Sequence, residues 1–305
     1  MRILIAGATG AIARPLVQCL NEEGHAVFGL ARSPQSSRAV AQLGAEPVAA
    51  DALDAASVRA AITRVRPDAV VNELSALPRH YTPAEMKAAG ERDYRVRIEG
   101  NANLLAALRD AGVRRYLLQS SGFWYAPGAG LADESAEFAF DASPAVAAGT
   151  RRYADLETAA SATPGIELVI LRYGFFYGPG TWFSTDGDMG EQVRQRQVAV
   201  IGNGEGVWSW VHVDDAATAT AVALESTPGT YNIVDNDPAP QRLWLPAFAR
   251  VVGAPSPPQL TEPEALAALG SDAVYYATRL RGAANEKAKR ELNLQPRPLE
   301  WLRAG

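Results

Sequence analysis

The sequence predicts an α/β protein, a doubly wound parallel sheet followed by a smaller C-terminal substrate-binding lobe. Three observations predict it. Short β-rich runs alternate with helical patterns through the first half of the chain. A glycine-rich turn follows the first of those runs directly. Beyond residue 180 the alternation weakens, and aromatic and proline-bearing segments take over.

In order, a strand at 2–6, a helix at 12–23 and a strand at 25–31 read as a βαβ unit. The pattern continues with a helix at 36–43, a strand at 46–49, a helix at 55–65 and a strand at 69–72. A helix at 93–111 leads to a strand at 116–119, and another strand at 167–171 ends in the Gly/Pro-bearing turn 174–180. Strands joined by helical crossovers imply a parallel sheet covered on both faces. A strand at 198–201, a segment at 208–213, a helix at 215–224 capped by Asp214 and Asp215, and a strand at 231–234 interleave sheet and lobe. The proline tract 255–258 marks a loop before the C-terminal helices. The expected division is a dinucleotide-binding domain at 1–178, with 212–236 returning to it, and a lobe made of 179–211 and 237–305.

Composition narrows the function. The 305 residues are 48% hydrophobic and carry a formal charge of -5, so no basic field exists to hold nucleic acid or an anionic membrane. Cys19 is the only cysteine, which excludes an internal disulfide and a cysteine-based metal cluster. No apolar run is long enough for a signal segment or a membrane span, and a cytoplasmic protein is expected. His25, His80 and His212 are scattered without ligand spacing, so no metal is expected. There is also no Gly-x-Ser-x-Gly elbow for a hydrolase nucleophile.

The turn Gly7-Ala8-Thr9-Gly10-Ala11-Ile12-Ala13 lies between the first strand and a helix, where backbone N–H groups can meet a pyrophosphate. Gly7 permits the tight turn, Gly10 the close approach of phosphate, and Ala13 the packing of helix on strand. This is the Rossmann arrangement. The second strand ends in Arg32 and Ser33 with no carboxylate for a ribose 2′-OH, so a cation and a hydroxyl are offered to a 2′-phosphate. NADP is therefore expected over NAD. Asp51 and Ala52 follow the third strand, where adenine could be met; Asp51 reads equally well as a helix N-cap.

Together with that turn, an ordered set of motifs resembles the extended and atypical short-chain dehydrogenase/reductases, the group that includes NAD-dependent epimerase/dehydratases. The set comprises Val70-Val71-Asn72, Asn103-Leu104-Leu105, Ala111-Gly112-Val113, Ser120-Ser121 with Tyr125, Leu171-Arg172 with Tyr177-Gly178-Pro179-Gly180, and Val211-His212-Val213-Asp214-Asp215. The resemblance implies that Leu74 and Ser75 lie near the cofactor ribose, and Tyr173 and Phe175 by the nicotinamide. It also implies a Ser, matched by Ser121, and a Tyr with a Lys four residues later. Here that pair departs from the pattern. The segment Arg151-Arg152-Tyr153-Ala154-Asp155-Leu156-Glu157 gives Tyr153-x-x-x-Glu157, or Arg151 with Asp155 in a second register. A carboxylate one turn from Tyr153 would raise its pKa. Tyr153 is thus proton donor or packed ring, with Tyr125 or an acid on the substrate as the alternatives, and Glu157→Lys is expected to be tolerated.

Relatives that act on nucleotide sugars meet a diphosphate with an Asn and an Arg, where this chain has Phe175-Phe176 and Val207-Trp208-Ser209-Trp210. Aromatic surface cannot compensate that charge. Trp182, Phe183, Trp208 and Trp210 are expected to line a pocket for an apolar or aromatic molecule, with Arg79, His80, Tyr81 and Tyr125 as polar contacts; ordinary packing between lobes is the competing reading. The expected function is an NADP(H)-dependent reductase of a carbonyl or activated double bond on a small, largely apolar metabolite, compatible with a homodimer. The alternatives are a redox-silent NADP-binding sensor and an isomerase or dehydratase that uses its cofactor internally.

Overall fold

The computed structural model describes residues 1–303. The first half runs β1 (Arg2–Ala6), α1 (Ala13–Glu22), β2 (Ala26–Ala31), α2 (Pro34–Gln42), β3 (Glu46–Ala49), α3 (Ala55–Val65), β4 (Ala69–Asn72), α4 (Pro83–Ala111), β5 (Arg115–Ser121), α5 (Pro144–Ser161) and β6 (Glu167–Tyr173). There follow β7 (Phe175–Tyr177), α6 (Asp188–Arg194), β8 (Val200–Ile201), β9 (Val207–Trp208), β10 (Trp210–His212), α7 (Val213–Ala223) and β11 (Gly229–Ile233). The chain ends with β12 (Ala239–Pro240), α8 (Gln241–Val251), β13 (Gln259–Leu260), α9 (Glu262–Leu269), α10 (Ser271–Thr278), α11 (Glu286–Glu291) and α12 (Glu300–Arg303).

Seven strands form one parallel sheet in the order β11-β6-β5-β4-β1-β2-β3. The chain winds outward from β1 in both directions, so the order reverses between β1 and β4. That switch point opens a crevice at the carboxyl ends of the strands. Amphipathic pattern explains the layers. In α1, Ala13, Leu16, Val17 and Leu20 recur at helical spacing and are buried against the sheet, while β4 is buried on both faces.

Most strands fall where the sequence puts them, with two informative differences. Helix α4 begins at Pro83 rather than at 93, with Thr82 Oγ1 accepting the N–H of Glu85 at 3.3 Å. Its first turns carry no apolar stripe and contain Gly90, so only the cap and the Pro signal them. Helix α7 begins at Val213, and its cap is His212, whose Nδ1 accepts the N–H of Asp214 at 3.2 Å. The Asp pair does not cap it; Asp215 instead binds Arg297 at 3.0 Å.

Two apolar cores fill the sheet faces. A third, aromatic core gathers Phe175, Tyr177, Phe183, Trp208, Trp210, Trp244, Phe248 and Trp301. Strand β7 precedes the boundary expected at 178, yet it pairs with β10 and delivers Phe175 into this third core.

Candidate functional site

The glycine-rich turn occupies the switch point. Gly7 has φ of +91°, and a Cβ there would stand 2.3 Å from the Glu73 carbonyl oxygen, so only glycine lets β1 pass β4 this closely. Thr9, Gly10 and Ala11 face outward, while Ala8 and Ile12 anchor the turn in the core. The N-terminus of α1 has no side-chain cap and no acidic residue in its first turn. The Ile12 and Arg14 N–H groups have no backbone acceptor, and with the positive dipole end they suit a pyrophosphate, so the turn fits the dinucleotide that the sequence implied.

Along the crevice the expected contacts separate. Arg32 is exposed and makes no hydrogen bond or ion pair among the described residues, leaving its guanidinium available at the end of β2. Ser33 is not available in the same way. It caps α2, its Oγ accepting the N–H of Ser36 at 3.1 Å within a reciprocal capping box. Asp51 closes a local turn, accepting from Leu53 N at 3.0 Å, and Asp54, not Asp51, caps α3. Ala52 is buried, with its carbonyl held by Asn103, and Leu74 and the exposed Ser75 lie at the end of β4.

Beneath the crevice, Tyr173 is not presented to it. Its ring is buried in the α1/α7 core, and its hydroxyl is spent on Glu73 Oε1 at 3.2 Å and on Thr220 Oγ1 at 2.6 Å. Phe176 is half-buried and packs against the same core at 5.2 Å from that ring. The Glu73 carboxyl is buried, its Oε2 has no partner, and burial pushes its pKa up to about 8. It is therefore protonated at neutral pH.

Ser121 ends β5 with an Oγ that is buried and has no hydrogen-bond partner among the described residues. Gly122 follows because β6 passes so close that a Cβ would meet the Arg172 carbonyl oxygen at 2.7 Å. Tyr125 is removed from the chemistry. It is fully buried, donates to Asn232 at 2.6 Å and accepts from Arg172 at 3.0 Å.

Helix α5 settles the register. Arg151 and Asp155 are exposed, and Arg151 reaches back to the Phe140 carbonyl. Facing inward at spacing four are Gly149, Tyr153 and Glu157. Glu157 is locked in a buried two-pronged pair with Arg172, at 2.8 Å and 2.6 Å, and also accepts from Ser120. Its charge is neutralised there, so it is not the group that raises the Tyr153 phenol. Burial does that, with Asp93 and Glu73 adding to it and Arg97 opposing. A Cβ on Gly149 would sit 2.4 Å from the Trp124 ring, which fills the space over the helix and meets Tyr153 edge-on at 5.4 Å. Arg97 lies over the other side of Tyr153 at 5.2 Å and pairs with Asp93 at 3.0 Å.

Opposite α5 stands an aromatic wall. Phe123 stacks on Phe175 at 4.1 Å, Phe175 stacks on Trp208 at 4.2 Å, and Tyr81 packs on Trp182 at 4.7 Å. Trp182 remains half-exposed, its Nε1 donating to the Arg79 carbonyl at 2.9 Å. Trp208 and Trp210 are buried core rather than lining. His80 is exposed, and pairs with Asp188 at 2.8 Å to tie the loop after β4 to α6. Among the described residues no group of three or more His, Cys, Asp or Glu could hold a metal ion, and no helix is long and apolar enough to cross a membrane.

A model of the NAD dependent epimerase/dehydratase family matches residues 3–234. The chain belongs to that family. A 3-diazoavenalumate denitrifying reductase from a Streptomyces species is 39% identical over 99% of this chain and 98% of its own length. A 2-alkyl-3-oxoalkanoate reductase from Stenotrophomonas maltophilia is 27% identical over 84% of this chain and 77% of its own. Among solved structures, a UDP-glucose-4-epimerase from Stenotrophomonas maltophila superposes with a TM-score of 0.74 at 21% identity, covering 100% of this chain and 98% of that one. The fold is shared, and α5 carries Tyr153 and no Lys. Sequence reasoning passed over Glu73, Asp93 with Arg97, and Trp124 with Tyr276. Only the Asp93-x-x-x-Arg97 spacing was a readable signal.

Proposed function

We propose that this chain is an NADP(H)-dependent reductase that delivers hydride to a small aromatic compound, and that the acceptor is a diazo group. The observation that carries the reading is the inward face of α5: Gly149 lies under Trp124, Tyr153 has no Lys, and Glu157 is held by Arg172. Reduction of a ketone leaves an alkoxide that needs a positioned acid. A diazonium ion does not. Hydride added to its terminal nitrogen gives Ar–N=N–H, which releases N2 and leaves that hydrogen on the ring carbon, so atoms and charge balance without a proton from a side chain. The bound nicotinamide would supply the hydride. The turn at Gly7 and Gly10 would hold its pyrophosphate and Arg32 its 2′-phosphate.

The relative named as a denitrifying reductase, aligned over nearly the whole of both chains, supports a diazo acceptor and weighs against a redox-silent sensor. Carbonyl reduction is the second reading, favoured by the unpartnered Ser121 hydroxyl and by the 3-oxoalkanoate reductase among the relatives. The test is NADPH oxidation with benzenediazonium and, separately, with acetophenone, with N2 measured by gas analysis. One N2 per NADPH is expected from the first and no turnover from the second. Turnover of acetophenone alone establishes carbonyl reduction, and no turnover of either returns the sensor. Ser121→Ala should slow carbonyl reduction about 10²-fold, the effect of losing one positioned hydrogen-bond donor, and should leave diazonium reduction nearly unchanged.

A further inference from the structure

Arg97 on α4 is 4% exposed and is fixed from two sides. Its Nε donates to Asp93 Oδ2 at 3.0 Å, and its Nη1 donates to Gln119 Oε1 on β5 at 3.1 Å. Buried polar groups find partners, and this guanidinium has placed two of its three nitrogens. The third, Nη2, makes no hydrogen bond among the described residues, and unlike the neighbouring Arg152 Nε it is not sealed from solvent. Tyr153 on α5 is in the same condition: it is half-buried, and its hydroxyl has no partner among the described residues and is not sealed. The two groups lie together, with Arg97 Cζ 5.2 Å from the centre of the Tyr153 ring. Two helices thus present a pair of uncommitted donors to the crevice.

Their place along the crevice names the occupant. Asp93 Oδ1 accepts the N–H of Ala76 at 2.7 Å, which fixes the chain just after β4. Two residues earlier, Leu74 N is an atom that a Cβ on Gly7 would meet at 3.0 Å, and two residues of chain span about 7 Å at most. The glycine turn and the Arg97–Asp93 pair therefore share one short segment. The strand order β5-β4-β1-β2 puts Arg97 and Arg32 on opposite sides of that turn. A dinucleotide with its pyrophosphate at the turn and its 2′-phosphate at Arg32 has the ends of β4 and β5 left for its nicotinamide half.

We propose that Arg97 and Tyr153 bind the nicotinamide–ribose half of the cofactor, donating from Nη2 and from the phenol to its oxygens, with Asp93 and Gln119 as positioning residues for the guanidinium. The inference rests on the dinucleotide part of the reading given above and not on which acceptor is reduced. That half of the cofactor carries hydroxyls and a carboxamide oxygen, which accept from N–H and O–H donors. The Arg97 charge is met by Asp93, so the guanidinium serves as an aimed donor. Helix α5 has no Lys, and the cation at this end of the crevice comes from α4 instead.

The test is a calorimetric comparison of NADPH with 2′,5′-ADP, which keeps the adenine and the 2′-phosphate but lacks the nicotinamide half. NADH against ADP repeats the comparison without the 2′-phosphate. Arg97→Met should weaken NADPH and NADH about tenfold, the scale of a hydrogen bond lost from a charged donor, and leave 2′,5′-ADP and ADP unchanged. Tyr153→Phe keeps the ring and leaves the Asp93 pair alone, and should cost both dinucleotides about threefold with the same selectivity. Arg97→Lys retains a charge for Asp93 but cannot also reach Gln119 and the crevice, so its loss should fall between wild type and Arg97→Met. If Arg97→Met does not fold, Arg97→Lys and Tyr153→Phe carry the test. Unchanged NADPH and NADH affinity in these variants, or equal losses of NADPH and 2′,5′-ADP, overturns the proposal while leaving the dinucleotide reading in place. Failure of the wild-type protein to bind any of the four probes removes both. A selective loss of NADPH in a protein that reduces neither benzenediazonium nor acetophenone leaves this site standing and removes the reductase reading.

Discussion

The two sides of the crevice are built from different materials. On the β1 side the ligand-facing groups are backbone: the turn at Gly7 and Gly10 and the uncapped start of α1. On the α5 side they are side chains, with Trp124 edge-on to Tyr153 at 5.4 Å and donating its indole N–H to Tyr276 at 3.0 Å. Backbone recognition depends on a few glycines and survives wide changes elsewhere. Side-chain recognition can be rebuilt, and here Gly149 leaves room for the Trp124 indole over α5. The crevice thus sets a backbone turn suited to a dinucleotide beside a wall of packed aromatic side chains.

The harshest way to break the comparison is at its hinge, the Glu157–Arg172 pair that pins α5 to β6. Glu157→Lys places a second cation against a buried guanidinium. It should cost at least about 3–5 kcal/mol of stability, measured by urea denaturation. The tolerance expected from sequence is withdrawn, because that expectation put residue 157 beside the cofactor and not in a buried ion pair. On the cradle side, Gly10→Val should preserve the fold, since a Cβ there meets only the Gly7 carbonyl at 3.2 Å, and should abolish binding of both NADPH and NADH in calorimetry. Arg32→Ala separates the two cofactors. NADPH should lose about 1.5–3 kcal/mol, with NADH nearly unchanged, and equal losses would remove Arg32 from the 2′-phosphate.

On the chamber side, Gly149→Leu should cost about 1–3 kcal/mol by overpacking and displace Trp124, read as a shift in its fluorescence with cofactor affinity retained. The last test reads a slope with pH. Glu73 has a pKa near 8 in the fold against about 4.5 when unfolded, so its contribution to stability is full below 4.5 and is lost as pH rises through 8. Glu73→Gln should flatten the fall in Tm over that range, leaving the part due to Asp235, which burial pushes up to about 7.

What could be read from the chain alone follows the same division. Strand periodicity, the turn at Gly7 and the exposed cation Arg32 are local in sequence and appear in the structure where spacing puts them, whereas α4 begins ten residues early because its first turns carry no apolar stripe. Ser121 is singled out by resemblance to the family motif, and it lies at the end of β5. The fates of Ser33, Tyr125, Tyr173 and Phe176 were not legible, since a hydroxyl or a ring has no assigned partner until distant elements meet. Ser33 is claimed by a helix cap, Tyr125 by Asn232 and Arg172, and Tyr173 by Glu73, a hundred residues away in the chain. The same holds for Trp124 and Tyr276, separated by 152 positions. Sequence determined the sheet and the cofactor turn, because backbone geometry is set by nearest neighbours. Only tertiary packing decided which side chains remain free to react, because a polar group is available to a ligand only when no other part of the fold has satisfied it.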